Sequence, residues 1–205
     1  MRPRASARGI QRAGWVILLL MIWWPTQVPI LRYGLITLRP VQEADIERIY
    51  EACQDPLIPR FTTVPSPYAI THAQFFIHEQ VPARFVSKSE LVFAITDSYQ
   101  EDENFCGLIS FHTVSLGNHA AELGYWIAAP ARSKGIGKTA ARLITEYGFQ
   151  TMGFKRIEAL VDIDNEASQA LLRSAGYEPE GILRQKVTRD NGTQIDMALY
   201  SQVNP

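Results

Sequence analysis

One stretch of the chain has residues suited to holding an anion. Arg132-Ser133-Lys134-Gly135-Ile136-Gly137-Lys138-Thr139 places three cations and two glycines in eight residues. Gly135 and Gly137 have no Cβ, so backbone N–H groups there can approach an anion closely. The helical spacing of Ile136, Ala140, Leu143, Ile144 and Tyr147 puts the stretch at a helix N-terminus, where free N–H groups and the helix dipole favour negative charge. A pyrophosphate suits that chemistry; a plain glycine-bearing helix start with solvated lysines is the other reading. The spacing matches neither Gly-x-x-x-x-Gly-Lys-Ser/Thr nor Gly-x-Gly-x-x-Gly. The other reactive side chains form no constellation. His72 and His78 are six apart and His112 and His119 seven, and with only Cys53 and Cys106 there is no metal-ligand spacing and no disulfide framework. Both cysteines read as buried apolar residues, and the histidines as structural or surface residues.

The elements around this loop follow from hydrophobic period and turn residues. Strands are expected at 35–40, 91–96, 105–114 and 121–128, with turns at 101–104 and 116–119. Short connections between the last three of these strands make that part an antiparallel meander. Helices are expected at 43–52 and from a cap at Thr71 through Phe75 and Phe76 toward Val81, with the four prolines of 55–68 reading as a loop. After the basic loop and its helix come a strand at 156–163 and a helix at 165–175 closed by Gly176. Strands at 177–188 and 193–200 then turn at Asp190-Asn191-Gly192. The result is a mixed α/β sheet, meander first and β-α-β-α-β later.

The 205 residues are 46% hydrophobic and 20% charged, which fits one globular domain with or without a tail and excludes disorder, coiled coil and collagen-like fibre. A net charge of −1 gives no general attraction to nucleic acid. The charge is uneven. Residues 1–30 hold Arg2, Arg4, Arg8 and Arg12 and no acid, which leaves −5 for the remainder. A twelve-residue apolar run, Ala13 to Trp24, follows the arginines. It imitates a secretory signal, yet falls short of the roughly 20 residues of a membrane span, and Trp23-Trp24-Pro25 is a poor cleavage junction. Three readings stand: export or a surface anchor, a segment packed on the domain, or synthesis that begins near Met21. We divide the chain into an N-terminal extension, 1–30, and a domain, 31–205.

Within that domain, Arg132 to Gly137 matches Arg/Gln-x-x-Gly-x-Gly/Ala, the loop of the GNAT superfamily of acyl-CoA-dependent N-acetyltransferases. Other segments resemble the family in order. Thr37-Leu38-Arg39-Pro40 is similar to its opening strand, and Glu122-Leu123-Gly124-Tyr125-Trp126-Ile127 to its fourth. Val161 to Ser168 resembles its fifth strand and Asn-x-x-Ser helix start, and Ala175-Gly176-Tyr177 the usual end of that helix. The Gly-Tyr-Trp strand, Asn-x-x-Ser and Arg60-Phe61-Thr62-Thr63-Val64-Pro65 resemble the ribosomal-protein (RimJ/RimL-type) branch.

The resemblance implies a mixed, mostly antiparallel α/β (α+β) sheet with helices on both faces and a splay between the fourth and fifth strands. It implies direct transfer of acetyl from acetyl-CoA to a primary amine, such as a protein N-terminal α-amine, a small-molecule amine or an aminoglycoside. A CoA-binding module without turnover is the alternative. The implied cofactor contacts are Tyr125, Trp126, Ile127 and Ala128 through freed backbone groups, Arg132, Ser133, Lys134, Gly135, Ile136, Gly137, Lys138 and Thr139 at the pyrophosphate, and Asn165 and Ser168. Glu122 is the candidate base and Ser168 a candidate partner of the CoA sulfur. Leu172 stands where many members have a tyrosine that protonates the thiolate. Strand alternation puts Glu122, Gly124 and Trp126 on one face and Leu123, Tyr125 and Ile127 on the other. Acceptor contacts are expected from the first two helices and their loop, 56–68, and from the last hairpin, segments that hold Arg60, Phe61, Tyr68, Arg184 and Lys186. The acetyl-CoA reading implies a cytoplasmic protein without stable membrane insertion, nucleic acid or metal, as a monomer or homodimer.

Overall fold

The structure, a computed structural model, describes residues 22–98, 103–189 and 191–204. Eight strands form one sheet: β1 Leu31–Tyr33, β2 Ile36–Arg39, β3 Leu91–Asp97, β4 Asn104–Ser115, β5 Ala120–Ile127, β6 Arg156–Asp162, β7 Glu178–Thr188 and β8 Gln194–Val203. Their spatial order is β1-β2-β3-β4-β5-β6-β8-β7. Every neighbouring pair is antiparallel except β5 and β6, which run parallel. The meander and the later β-α-β-α-β order are therefore as the sequence predicts.

Two hydrophobic cores sandwich the sheet. The larger joins Leu91, Phe93, Ile95, Ile109, Phe111, Leu123 and Ile157 to α5 Ile136–Tyr147 and α6 Glu166–Ala175. The smaller joins Ala94 and Leu108 to α1 Asp45–Ala52, α2 Leu57–Phe61 and α3 Ile70–Phe75. Because β3 is covered on both sides, Leu91 to Thr96 are all buried and show no alternation. At the end of β2, Arg39 makes a bidentate pair with Asp45, at 2.7 and 2.8 Å, and reaches Glu103 at 2.8 Å. This network ties the strand that Pro40 ends to the first turn of α1.

Several expectations need correcting. β1 was not foreseen; it hairpins onto β2 through Gly34, whose φ of +57° suits glycine. The proline-rich loop contains α2, with Pro59 in its first turn, where no intrahelical N–H bond is lost. Thr71 is not a cap: α3 starts one residue earlier, and the His72 Nδ1 accepts the Ala69 N–H at 3.1 Å. The same helical rod continues through a π turn, Phe76–Gln80, into α4 Val81–Val86. The Val81 N–H donates to the Phe76 carbonyl just before Pro82, so the wider turn adapts the rod to a residue without an N–H.

Of the N-terminal extension, residues 22–30 are described. Ile22, Trp24 and Val28 pack on the larger core, the Trp24 ring lies 5.8 Å from Phe85, and the Trp23 N–H donates to the Met152 carbonyl at 2.9 Å. The four arginines and most of the apolar run lie outside the described residues. No helix among the described residues is long and apolar enough to cross a membrane.

Candidate active site

The parallel ladder between β5 and β6 is short. It pairs Ala120 with Arg156, Ala121 with Ile157 and Glu122 with Glu158, and it registers nothing beyond. β5 runs on to Ile127 and β6 to Asp162, but β6 stays paired with β8 through Asp162 while β5 stays paired with β4 through Ile127. The sheet thus opens into a wedge just past Glu122. This is the splay expected between the fourth and fifth strands, displaced by one in the count because β1 precedes them.

Backbone direction says which groups face the wedge. The Ala128 N–H donates to the Cys106 carbonyl at 2.8 Å, so it points to β4. The Trp126 carbonyl also faces β4: a Cβ on Gly107 would lie 2.2 Å from it. Backbone groups alternate sides along a strand, so Tyr125 and the Ile127 N–H point into the wedge. Of the four residues expected to offer freed backbone groups, Tyr125 and Ile127 do, while Trp126 and Ala128 are committed to β4. The Ile127 carbonyl accepts from the Arg132 Nε at 2.9 Å.

Glu122 stands where the ladder ends, opposite His112 on β4 and Glu158 on β6, on the face that carries α1 to α3. The His112 Nδ1 lies 4.0 Å from the Glu122 carboxylate. Burial raises the Glu122 carboxyl above the usual carboxylate range; His112, Lys186 and the Thr113 hydroxyl oppose that rise, and Glu158 adds to it. Such a carboxylate is a stronger base than a solvated one. Gly124 makes this possible sterically, since a Cβ there would sit 2.7 Å from the His112 Nε2. Neither Gly124 nor Lys186 stood out as part of this cluster from sequence; the Gly-Tyr dipeptide on a strand was the only signal for Gly124.

The basic loop crosses the end of β5 through a 3-10 turn, Ala129–Ala131, and enters α5 at Gly135. Gly135 has φ +76°, and Ser133 adopts φ +60°. The first helical bond is from the Thr139 N–H to the Gly135 carbonyl, 3.0 Å, so the amides from Ile136 to Lys138 stay free of the ladder, as at any helix start. Gly137 is needed for packing: a Cβ would lie 2.5 Å from the Leu171 Cδ1 and 3.2 Å from the Ile127 Cγ1. The side chains divide. Ile136 is buried in the core. Arg132 is spent on the Ile127 carbonyl and on Asp55, 2.6 Å away, so it braces the loop. Lys134 borders a cavity of about 420 Å³ with Arg48, Asp97 and Cys106, and Thr139 borders a smaller recess with Tyr33 and Arg142. A Cβ on Gly135 would meet nothing within 4 Å, so the approach to these amides is open.

On the α6 side, Asn165 caps the helix, its Oδ1 accepting the Ser168 N–H at 3.1 Å. The Ser168 hydroxyl lies 2.7 Å from the Tyr125 hydroxyl, whose one proton also has the Ser168 carbonyl within reach at 3.3 Å. Tyr125 was expected to contribute backbone alone; its phenol contact with Ser168 has no signature in the sequence. Leu172 is fully buried, and its aliphatic side chain has no acidic proton to give. Cys53 and Cys106 are buried, and desolvation pushes their thiols up to about 12 and about 11. Among the described residues no group of His, Cys, Asp or Glu is arranged for a metal ion.

A half-open parallel pair with free amides at its mouth, next to a glycine-started helix, fits an extended chain that ends in a pyrophosphate. The comparisons with known proteins agree with that shape. The Acetyltransferase (GNAT) domain matches residues 36–178. The chain is 30% identical over 177 residues to the uncharacterized N-acetyltransferase YoaA of Bacillus subtilis (strain 168), covering 86% of this chain and 98% of that one. It is 29% identical over 105 residues to the ribosomal-protein-serine acetyltransferase of Escherichia coli (strain K12), 51% of this chain and 58% of that one. Among solved structures it is similar to Mycobacterium smegmatis RimJ in complex with CoA-disulfide, with a TM-score of 0.75, 25% identity and 88% of each chain covered. The open wedge, the glycine-started helix and these matches lead to one conclusion: the chain belongs to the GNAT acetyltransferase family, acyltransferases that take their acetyl group from acetyl-CoA.

Proposed function

We propose that this N-acetyltransferase acts on a single α-amine at a protein or peptide N-terminus, with Glu122 as the base. An amine must be neutral to attack a thioester, and Glu122 would take its proton, directly or through water. The wedge amides of Tyr125 and Ile127 would hold the pantetheine arm. The amides of Ser133 to Lys138, with Lys134 and Lys138, would hold the pyrophosphate. Asn165 and Ser168 would stand beside the sulfur.

The observation that carries the acceptor is how the carboxylates near Glu122 are paired. Glu90 is bonded to Arg84 at 2.6 Å and to Ser110 at 2.9 Å. Glu158 and Glu180 share Arg156 at 3.0 and 2.6 Å. Of these four described carboxylates, Glu122 alone has no arginine partner. A polyamine, which needs several unpaired negative charges, finds one here, whereas a single amine needs one. A spermidine N(1)-acetyltransferase of E. coli, 24% identical over 153 residues, is also among the relatives, so the two acceptors must be compared directly. The test is acetyl transfer to short peptides with free or blocked N-termini, to spermidine and to an aminoglycoside. Turnover on free N-termini, lost on blocking, is the expected result. Turnover on spermidine or the aminoglycoside with none on peptides would overturn the assignment.

A further inference from the structure

A side chain of β5 bridges the wedge to the start of α6. Tyr125 is three residues beyond Glu122 on β5, on the opposite face, and its side chain crosses under the open ladder to the first turn of α6. Its hydroxyl contacts two atoms of one residue, the Ser168 Oγ at 2.7 Å and the Ser168 carbonyl at 3.3 Å. The Ser168 N–H is already held by Asn165. Ser168 is therefore fixed from both sides: its amide by the cap, its hydroxyl by the phenol. A free serine hydroxyl rotates to suit whatever acceptor is near. The phenol has one proton and two acceptors in reach, of which the Oγ at 2.7 Å is the closer; given to the Oγ, it leaves the serine its own proton for a third partner.

We propose that Tyr125 is a positioning residue: by donating to the Ser168 oxygen, it turns the Ser168 O–H into the wedge as the hydrogen-bond donor to the departing sulfur. The inference rests on the wedge being the acyl-CoA site. It also answers the absence of a tyrosine at Leu172, because the phenol is supplied from β5 rather than from α6. In the reaction, the amine nitrogen forms a bond to the acetyl carbon and the carbon–sulfur bond breaks. The electron pair stays on sulfur, Glu122 keeps the amine's proton until it passes to water, and the thiolate takes its proton from water. No group in this step need be oxidised or reduced. Ser168 acts as a hydrogen-bond donor and does not give up its proton. The phenol supports that limit: burial pushes it up to about 12, while a thiol titrates near 8.5, so transfer from phenol to thiolate would be uphill.

The test uses Tyr125→Phe, Ser168→Ala and the double variant of the full chain, with kcat, KM for acetyl-CoA and thermal unfolding measured for each. Tyr125→Phe should lower kcat about fivefold, the kinetic equivalent of one neutral hydrogen bond, and change KM less than twofold. Adding Tyr125→Phe to Ser168→Ala should cost nothing more, because Tyr125 acts through that hydroxyl. A parental kcat for Tyr125→Phe, or a further fivefold loss in the Ser168→Ala background, overturns the proposal. So does a fall in kcat that merely tracks a lower melting temperature. Should the phenylalanine variant not fold, 3-fluorotyrosine at position 125 keeps the ring and makes the hydroxyl a stronger donor. A kcat at or above the parental value is then expected, and a severalfold drop overturns the role. Failure of the underlying reading would show separately, as no thermal shift of the unaltered protein with acetyl-CoA.

Discussion

Gly135→Asp, read against Gly135→Ala, separates charge at the loop from backbone strain. Gly135 has φ +76°, so any side chain there pays the left-handed cost of about 1–2 kcal/mol. A Cβ meets nothing within 4 Å, so no steric cost is added. For a chain of this length that corresponds to a melting temperature lowered by about 2–8 °C. Aspartate tolerates this backbone region better than alanine, so the Asp variant should be no less stable than the Ala one. The difference lies in binding. A carboxylate roughly 5 Å from one phosphate charge is repelled by about 1 kcal/mol at the dielectric of water and about 3 kcal/mol at an effective value of 20. Against two phosphate charges, acetyl-CoA affinity should fall at least about 30-fold below that of Gly135→Ala. Calorimetric titration of acetyl-CoA into the parent and both variants, at low and moderate salt, measures this directly. The gap should narrow with salt. Equal affinities for the Ala and Asp variants would refute the placement of the pyrophosphate at this helix start.

Glu122→Gln should lower kcat about 100-fold or more while acetyl-CoA affinity stays within about twofold, checked by steady-state rates and titration. Because the folded protein raises the Glu122 carboxyl, its proton is bound more tightly in the native state; stability from this group is full at acid pH and is lost as pH rises through the raised value. Thermal unfolding at neutral pH should therefore find Glu122→Gln at least as stable as the parent, and the parental rate should climb as pH rises through the same range. Gly124→Ala places a methyl 2.7 Å from the His112 Nε2, so it should displace the imidazole beside Glu122 and lower kcat without lowering acetyl-CoA affinity, as rates and titration will show. Asp45→Ala removes the bidentate partner of the largely buried Arg39 guanidinium and leaves it the Glu103 carboxylate and the Pro40 carbonyl, which should cost about 2 kcal/mol and lower the melting temperature by about 4–8 °C in a calorimetric scan.

How legible these parts were from residues alone depended on how local their causes are. The αL glycines at 176 and 192 and the turns that join consecutive strands rest on neighbours within a few positions, and the sequence pattern placed each of them. The helix within the proline-rich stretch was hidden because proline is read as a breaker, although Pro59 falls in a first turn that has no bond to lose. The continuation of α3 into α4 was hidden because a π turn absorbs Pro82. At the site, the anion loop was legible as a run of cations and glycines. The diversion of Arg132 to Asp55 was not, because 77 residues separate the partners in the chain and only packing joins them. The same holds for Tyr125 and Ser168, which lie 43 apart. Strand period showed two faces of β5, and only the two cores on the sheet decided that Glu122 faces α1 to α3 while Tyr125 faces α5 and α6.

The three-pair ladder between β5 and β6 also makes the sheet two leaves, one of five strands and one of three, sewn together along a short seam. Whatever lies in the wedge supplies the missing stitches, since its polar atoms meet amides that a neighbouring strand would otherwise engage. An occupant is then a structural member of the sheet as well as a reactant. The Tyr125 and Ile127 amides should exchange with solvent hydrogen quickly in the empty protein and slowly in the filled one, while those of β4 change little. The leaves would be free to breathe about the seam between turnovers and would stiffen together each time the wedge is filled.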